Sequence, residues 1–393
     1  MHDPLHLERP RAQATATGSR VTARVGGADV WFESPDIVLV PSIEAFVAAF
    51  LIPSLGLRRP LAVAGRACPE FVANTRQVVE LAHQWWRYPK RQPTYHTTLG
   101  AVSGSRGPRA ALFFSGGLDS FHSLLASGRH VDDLVFVHGF DVPLIDTPRA
   151  DACERLLRDV AASTGQRVIR VRTNLRQHPE LTSLHWGRTH GGALAAVGHL
   201  LSGHVTSVLI SSSNPLTHRG GWGSHWALDR WWSSGSLRVE HVGAECDREQ
   251  KLAAVARHPL VRQHLRVCWE NRDAALNCGR CEKCLRTQLG LLAQGELSHS
   301  TVFDHRVPIA QRLDRLQRIN DPVMFAFYQR MIERGLPPDV GVAARRLLRR
   351  SRTAHRVRLG RHLVNRAGGA ARRLWRASRR LRGRTVLRLR SAR

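Results

Sequence analysis

Lysine is almost missing from this chain of 393 residues: only Lys90, Lys251 and Lys283 occur, so nearly all its positive charge is arginine. Bias at that level is what a GC-rich genome produces. Two of the three lysines nevertheless fall in segments that carry motifs, which marks positions needing an ammonium and not just any cation. No apolar run reaches the length of a membrane span; the best candidate, Ile43 to Leu57, contains Glu44 and Pro53. Met1 to Thr17 is polar and mixed in charge, unlike a secretory signal. No internal repeat is present. Asp, Glu and Lys are all absent from Gly341 to Arg393, which holds 19 arginines of a chain whose net charge is +28. Three cysteines stand singly, Cys68, Cys153 and Cys246, and read as small buried hydrophobes. A disulfide framework is not expected, and a reducing cytoplasm is the simplest home.

Residues 111 to 120 read Ala-Leu-Phe-Phe-Ser-Gly-Gly-Leu-Asp-Ser. Four apolar residues suit a buried parallel strand. Gly116 and Gly117 then allow a tight turn and close approach of a ligand to the backbone. Asp119 and Ser120 open a predicted helix, Phe121 to Ser127. A strand, a glycine turn and a helix N-terminus together make an anion site, since free N–H groups and the helix dipole both favour negative charge. Ser115 and Ser120 add hydroxyls, and Asp119 can hold a magnesium ion carried by a polyphosphate. An ordinary strand-to-helix turn needs neither two serines nor an aspartate.

The second signal is Cys268, Cys278, Cys281 and Cys284, the last three in Cys-Gly-Arg-Cys-Glu-Lys-Cys. Four thiolates at that spacing suit a tetrahedral zinc ion. Gly279 relieves the backbone of the first Cys-x-x-Cys turn. An iron–sulfur cluster is the competing reading of the same four ligands.

Ser115-Gly116-Gly117-Leu118-Asp119-Ser120 resembles the pyrophosphate-binding loop of the PP-loop ATP pyrophosphatases, and it lacks the Gly-Lys-Ser/Thr of a Walker loop. Within that superfamily, the 7-cyano-7-deazaguanine synthase family places one cysteine and then Cys-Gly-x-Cys-x-x-Cys far downstream, as here. Gly187-Arg188, before the predicted helix Thr189 to Leu201, is similar to that family's Gly-Arg pair. Lys251, in the predicted helix Arg248 to Ala256, is similar to its late lysine. The resemblance covers about residues 108 to 292. It implies cleavage of ATP to AMP and pyrophosphate, with AMP placed on a substrate oxygen. Ser115, Gly116, Gly117, Leu118, Asp119 and Ser120 would hold pyrophosphate and magnesium, and Asp119, Arg188 and Lys251 would act in the transfer. Arg286, after the cysteines, would reach a phosphate or a substrate carboxylate. Trp186 and Thr189 stand where the family has proline and asparagine, and Ser211 to Trp232 is unlike its substrate loop. The implied enzyme therefore keeps the ATP machinery and takes a different small molecule. The chain opens Met-His, so the N-terminal cysteine of glutamine-hydrolysing relatives is not expected.

The expected fold is α/β, a doubly wound parallel sheet of the adenine nucleotide α-hydrolase kind, because strand and helix patterns alternate from residue 111 to residue 211. Residues 1–19 are expected to be disordered, 20–100 to form a small α/β module, and 101–300 to form the nucleotide domain with its cysteine segment at 268–284. A helical extension at 301–340 and an arginine-rich tail at 341–393 complete the reading. The tail's leucines recur at loosely helical spacing, which suits an anionic membrane surface or nucleic acid. Trp222, Trp226, Trp231 and Trp232 are candidates to stack on a flat substrate, and Trp85, Trp86 and Trp186 to fill core. Two other readings fit these residues: a tRNA-modifying sulfur transferase with an iron–sulfur cluster, and a nucleotide-binding module without catalysis.

Overall fold

A computed structural model describes residues 3–96 and 108–352. Eleven strands make one sheet: β1 (Leu5–Leu7), β2 (Arg11–Thr15), β3 (Gly18–Val25), β4 (Ala28–Ser34), β5 (Leu61–Val63), β6 (Thr94–Tyr95), β7 (Ala110–Phe113), β8 (Asp133–His138), β9 (Arg167–Thr173), β10 (Ser207–Ser211) and β11 (Arg238–Val242). Their order is β11-β10-β7-β8-β9-β4-β3-β1-β5-β6, with β2 beside β3. The five strands β7 to β11 pair in parallel. β8 is buried at every position, as a strand covered on both faces must be.

The connections after β8 and β9 carry the helices Thr147–Thr164 and Trp186–Leu200, and the helix Leu118–Leu125 follows β7. From β7 the chain steps to β8 and β9 on one side, then returns to lay β10 and β11 on the other. The order thus reverses between β7 and β10, and a crevice for ligands opens at the C-terminal ends of the strands at such a point.

The N-terminal expectations are corrected. Residues 5–25 hold three paired strands, β1, β2 and β3, where disorder was expected up to residue 19. β2 is exposed on both faces, so its polar sequence looks like coil, but its backbone pairs with β3 from Arg11↔Thr22 to Thr15↔Gly18. Nor do residues 20–96 form a separate module. β4 pairs with β9 in antiparallel register, Phe32↔Thr173, so the N-terminal strands extend the central sheet.

A helix apolar on every side, Ile43–Gly56, lies within this core, its start capped by the Ser42 hydroxyl, which accepts from the Ala45 N–H at 3.2 Å. It packs on Trp186–Leu200, where a side chain at Gly192 would overlap the Ala48 carbonyl. Only glycine permits that crossing. Among the described residues no helix is long and apolar enough to cross a membrane.

The described residues divide into two compact units, one within 3–279 together with 290–304, the other of 280–289 and 305–352. In the described part of the second unit, Leu313, Phe327, Tyr328, Met331, Ala343, Ala344 and Leu347 are buried. A helical run at 338–352 belongs to it. Arg346 pairs with Asp314 at 2.7 Å, and Arg350 donates to the carbonyls of Leu313 and Leu316, each at 3.1 Å. The first dozen residues assigned to the tail are therefore packed. The rest of the tail, 353–393, and the linker residues 97–107 lie outside the described residues.

Candidate active site and metal centre

The Ser-Gly-Gly turn falls at the switch point. Gly116 takes a φ of +74°, and a Cβ there would press on Leu156 at 3.1 Å. Gly117 precedes Leu118–Leu125 as its cap residue, and no side chain caps that helix. Its first N–H groups are left for water or for an anion. Ser115 is exposed, and Leu118 is buried beneath the helix. Ser120 is buried too, its hydroxyl donating to the Gly117 carbonyl at 2.9 Å, so it braces the turn from within.

Lys251 arrives from the helix Arg248–Val255, which follows β11. That helix starts at a capping box, with Asp247 and Gln250 exchanging bonds with each other's backbone. The ammonium is 2% exposed. It donates to the Ser212 carbonyl, just past β10, and lies 3.3 Å from the Asp119 carboxylate. The sequence placed Asp119 and Lys251 in one site 132 residues apart, and the fold brings them together. His122, one turn after Asp119, is buried with an unpartnered Nδ1. Burial first, and then the Lys251 charge, hold its imidazole below the usual range.

The sulfurs of Cys268, Cys278, Cys281 and Cys284 all lie within 4.8 Å of one another. A tetrahedral zinc with bonds of about 2.3 Å needs sulfurs about 3.8 Å apart, so the donor set fits such an ion. Gly279 turns at φ +66°, and Cys281 Sγ accepts the Cys284 N–H at 3.4 Å. The segment before the turn is held by two residues. Asn277 accepts the Val267 N–H at 2.8 Å and the Cys268 N–H at 3.2 Å and donates to the Leu265 carbonyl at 2.7 Å. Arg149 is buried, pairs with Asp146 at 2.7 Å, and donates to the carbonyls of Asn271, Asp273 and Ala275.

Arg188 is held by other partners than the loop. It is exposed, donates to the Tyr88 hydroxyl at 2.7 Å and lies 5.8 Å from the Trp86 ring centre. No described hydrogen bond or ion pair joins it to the loop. Arg286 lies 3.0 Å from Glu282, one turn earlier on its own helix. Trp85, Trp86 and Trp186 pack against the core as expected. Trp232 does too: it is fully buried and cannot stack on a ligand. Trp222 and Trp226 are partly exposed in a loop folded over the start of Trp186–Leu200, where the Gly223 N–H donates to the Gly187 carbonyl at 2.7 Å. The core carries a further buried group, Asp229, which accepts from Ser224 at 2.6 Å and contacts His241 at 2.8 Å.

Sequence reading missed Arg266, Arg149 and His122. Each is an ordinary polar residue in a segment whose burial is decided by distant partners, so no local pattern marks it. No protein-family model, no curated protein and no solved structure matches the chain.

Proposed function

We propose that the protein is an ATP-dependent, adenylate-forming enzyme of the ATP pyrophosphatase kind, with a sheet of the adenine nucleotide α-hydrolase type. One observation carries this reading: at the point where the strand order reverses, an uncapped helix start after Ser115-Gly116-Gly117 meets the Asp119–Lys251 pair. In this reading, the loop N–H groups and Ser115 receive the β- and γ-phosphates, Asp119 holds magnesium, and Lys251 offsets charge developing on the phosphates. A carboxylate or amide oxygen of a small molecule attacks the α-phosphorus. The bond from that phosphorus to the bridging oxygen breaks, and pyrophosphate leaves with the electron pair. Magnesium supplies charge neutralisation on the phosphates. Arg188 stands on Trp86 and Tyr88 as a cation for the acceptor side of the site. A zinc ion at the four cysteines is structural, tying down the segment that follows the last strand.

The test is Asp119→Ala. Its carboxylate is partly exposed and fills no cavity, so the variant folds, at lower stability because the buried Lys251 ammonium loses its carboxylate partner. Pyrophosphate release in the presence of ATP, magnesium and a panel of carboxylic acids is expected to fall at least about 100-fold in protein that still melts cooperatively, at a lower temperature than the parent. Release within a few-fold of the parent would sink the assignment.

A further inference from the structure

Arg266 is 5% exposed, yet it has no anionic partner among the described residues. Among the described residues its one side-chain hydrogen bond is a long one from Nη2 to Asn271 Oδ1, 3.4 Å, and its Nε is buried with no partner. Arg149, equally buried, shows what a satisfied guanidinium looks like in this fold: it has a carboxylate and three carbonyls. A buried cation without a counter-ion is costly unless a ligand supplies the anion.

The position of Arg266 says which anion. Its N–H donates to the Gly116 carbonyl at 2.7 Å, and its Cβ lies 3.4 Å from where a Gly116 side chain would begin. It is thus seated on the loop itself. Its guanidinium reaches toward Asn271, which donates to the Asp141 carbonyl beyond β8. Lys251 stands on the other flank, bonded to Ser212 beyond β10. β7 runs between β8 and β10, so the two buried cations straddle the loop. Together with the uncapped helix start they outnumber Asp119, the carboxylate paired with Lys251. A guanidinium fork suits phosphate oxygens, and two cations on opposite flanks suit a ligand longer than one phosphate.

The geometry points to Arg266 as a second cationic anchor of the loop site, binding the pyrophosphoryl group of a nucleoside triphosphate opposite Lys251. This inference rests on the nucleotide reading above and adds a residue to it.

The probes are magnesium pyrophosphate and inorganic phosphate, titrated calorimetrically into the full chain. The parent is expected to bind pyrophosphate and to bind phosphate far more weakly. Arg266→Met is expected to weaken pyrophosphate about 10- to 100-fold, as loss of one charge-assisted contact does. Its melting temperature without ligand should stay level or rise, because an uncompensated charge has gone. Arg266→Lys, which keeps the charge and loses the fork, should fall between them, and it replaces the methionine variant if that one does not fold. Pyrophosphate affinity within about threefold of the parent in both variants would overturn the role of Arg266 while leaving the nucleotide reading intact. A parent chain that ignores pyrophosphate would instead overturn the nucleotide reading, and this inference with it.

Discussion

Lys251 and Asp119 are an unequal pair: the ammonium is buried and the carboxylate keeps some contact with water. Truncating a fully buried partner strands the other charge, but Asp119 can be re-solvated where it stands. Lys251→Met is therefore expected to remain folded, its unbranched side chain occupying the same channel. Under the proposed chemistry it should lower pyrophosphate release about 100-fold or more, since a preorganised cation at the phosphates is lost. Parallel measurement of release and thermal melting checks both halves. Lys251→Arg is not a conservative control here, because the planar fork cannot repeat a single contact to the Ser212 carbonyl in a closed space.

At the scale of elements, the segment from Leu265 to Cys284 has little regular structure of its own. It is described as loop until the helix Glu282–Ala293 begins. Asn277 and Arg149 replace the missing ladder by collecting backbone groups one at a time. A metal ion at the four cysteines would fix such a segment further. One zinc per chain is expected, with sulfur distances of about 2.3 Å by X-ray absorption. Cys278→Ser should lose that zinc and lower the melting temperature, while leaving the strands β7 to β11 paired. Stoichiometric iron in the purified protein would refute zinc in favour of a cluster.

The whole molecule carries a set of buried imidazoles. His178, His190, His199 and His225 are each held below the usual range, in every case chiefly by burial. They are neutral in the fold, whereas the unfolded chain protonates them near pH 6.5. Below that pH the unfolded state binds more protons, so stability is full above pH 6.5 and is lost as the pH falls below it. Urea midpoints at pH 7.5 and 5.5 should show the acid sample clearly weaker. His199→Asn, chosen because that ring contacts the Trp232 carbonyl at 2.8 Å in the core, should narrow the gap between the two. An equal midpoint at both pH values would contradict the burial argument. A second prediction concerns charge. The residues from 353 onward hold 14 of the 19 arginines counted from Gly341. Truncation after Arg352, which spares the packed helical run, should retain pyrophosphate release and lose salt-sensitive binding to RNA or anionic vesicles. Truncation after Pro338 should instead unfold the second unit, since Leu347 and Ala343 are part of its core.

Sequence alone determined what is local. The hairpin around Gly26-Gly27, the helix after Cys68, the alternation from Ala111 to Ser211 and the four-cysteine spacing are each written in neighbouring residues, through turn chemistry, periodicity and ligand count. Lys251 and Asp119 were also legible, because each sits in a recognisable motif. What only the tertiary structure decided is pairing and burial. β2 is exposed on both faces and β1 is three residues long, so neither carries a clear hydrophobic period; their strand character exists through β3 and β5. The antiparallel contact of β4 with β9 joins residues about 140 apart, and it turns an expected module into the far side of one sheet. Trp232 looked like a stacking surface and is core, while Arg188 carries the expected residue type but stands on Tyr88. Arg266 is one arginine in a chain full of them. Its burial without a partner, beside Gly116, comes from the packing of segments 150 residues apart, and no spacing in the chain encodes that.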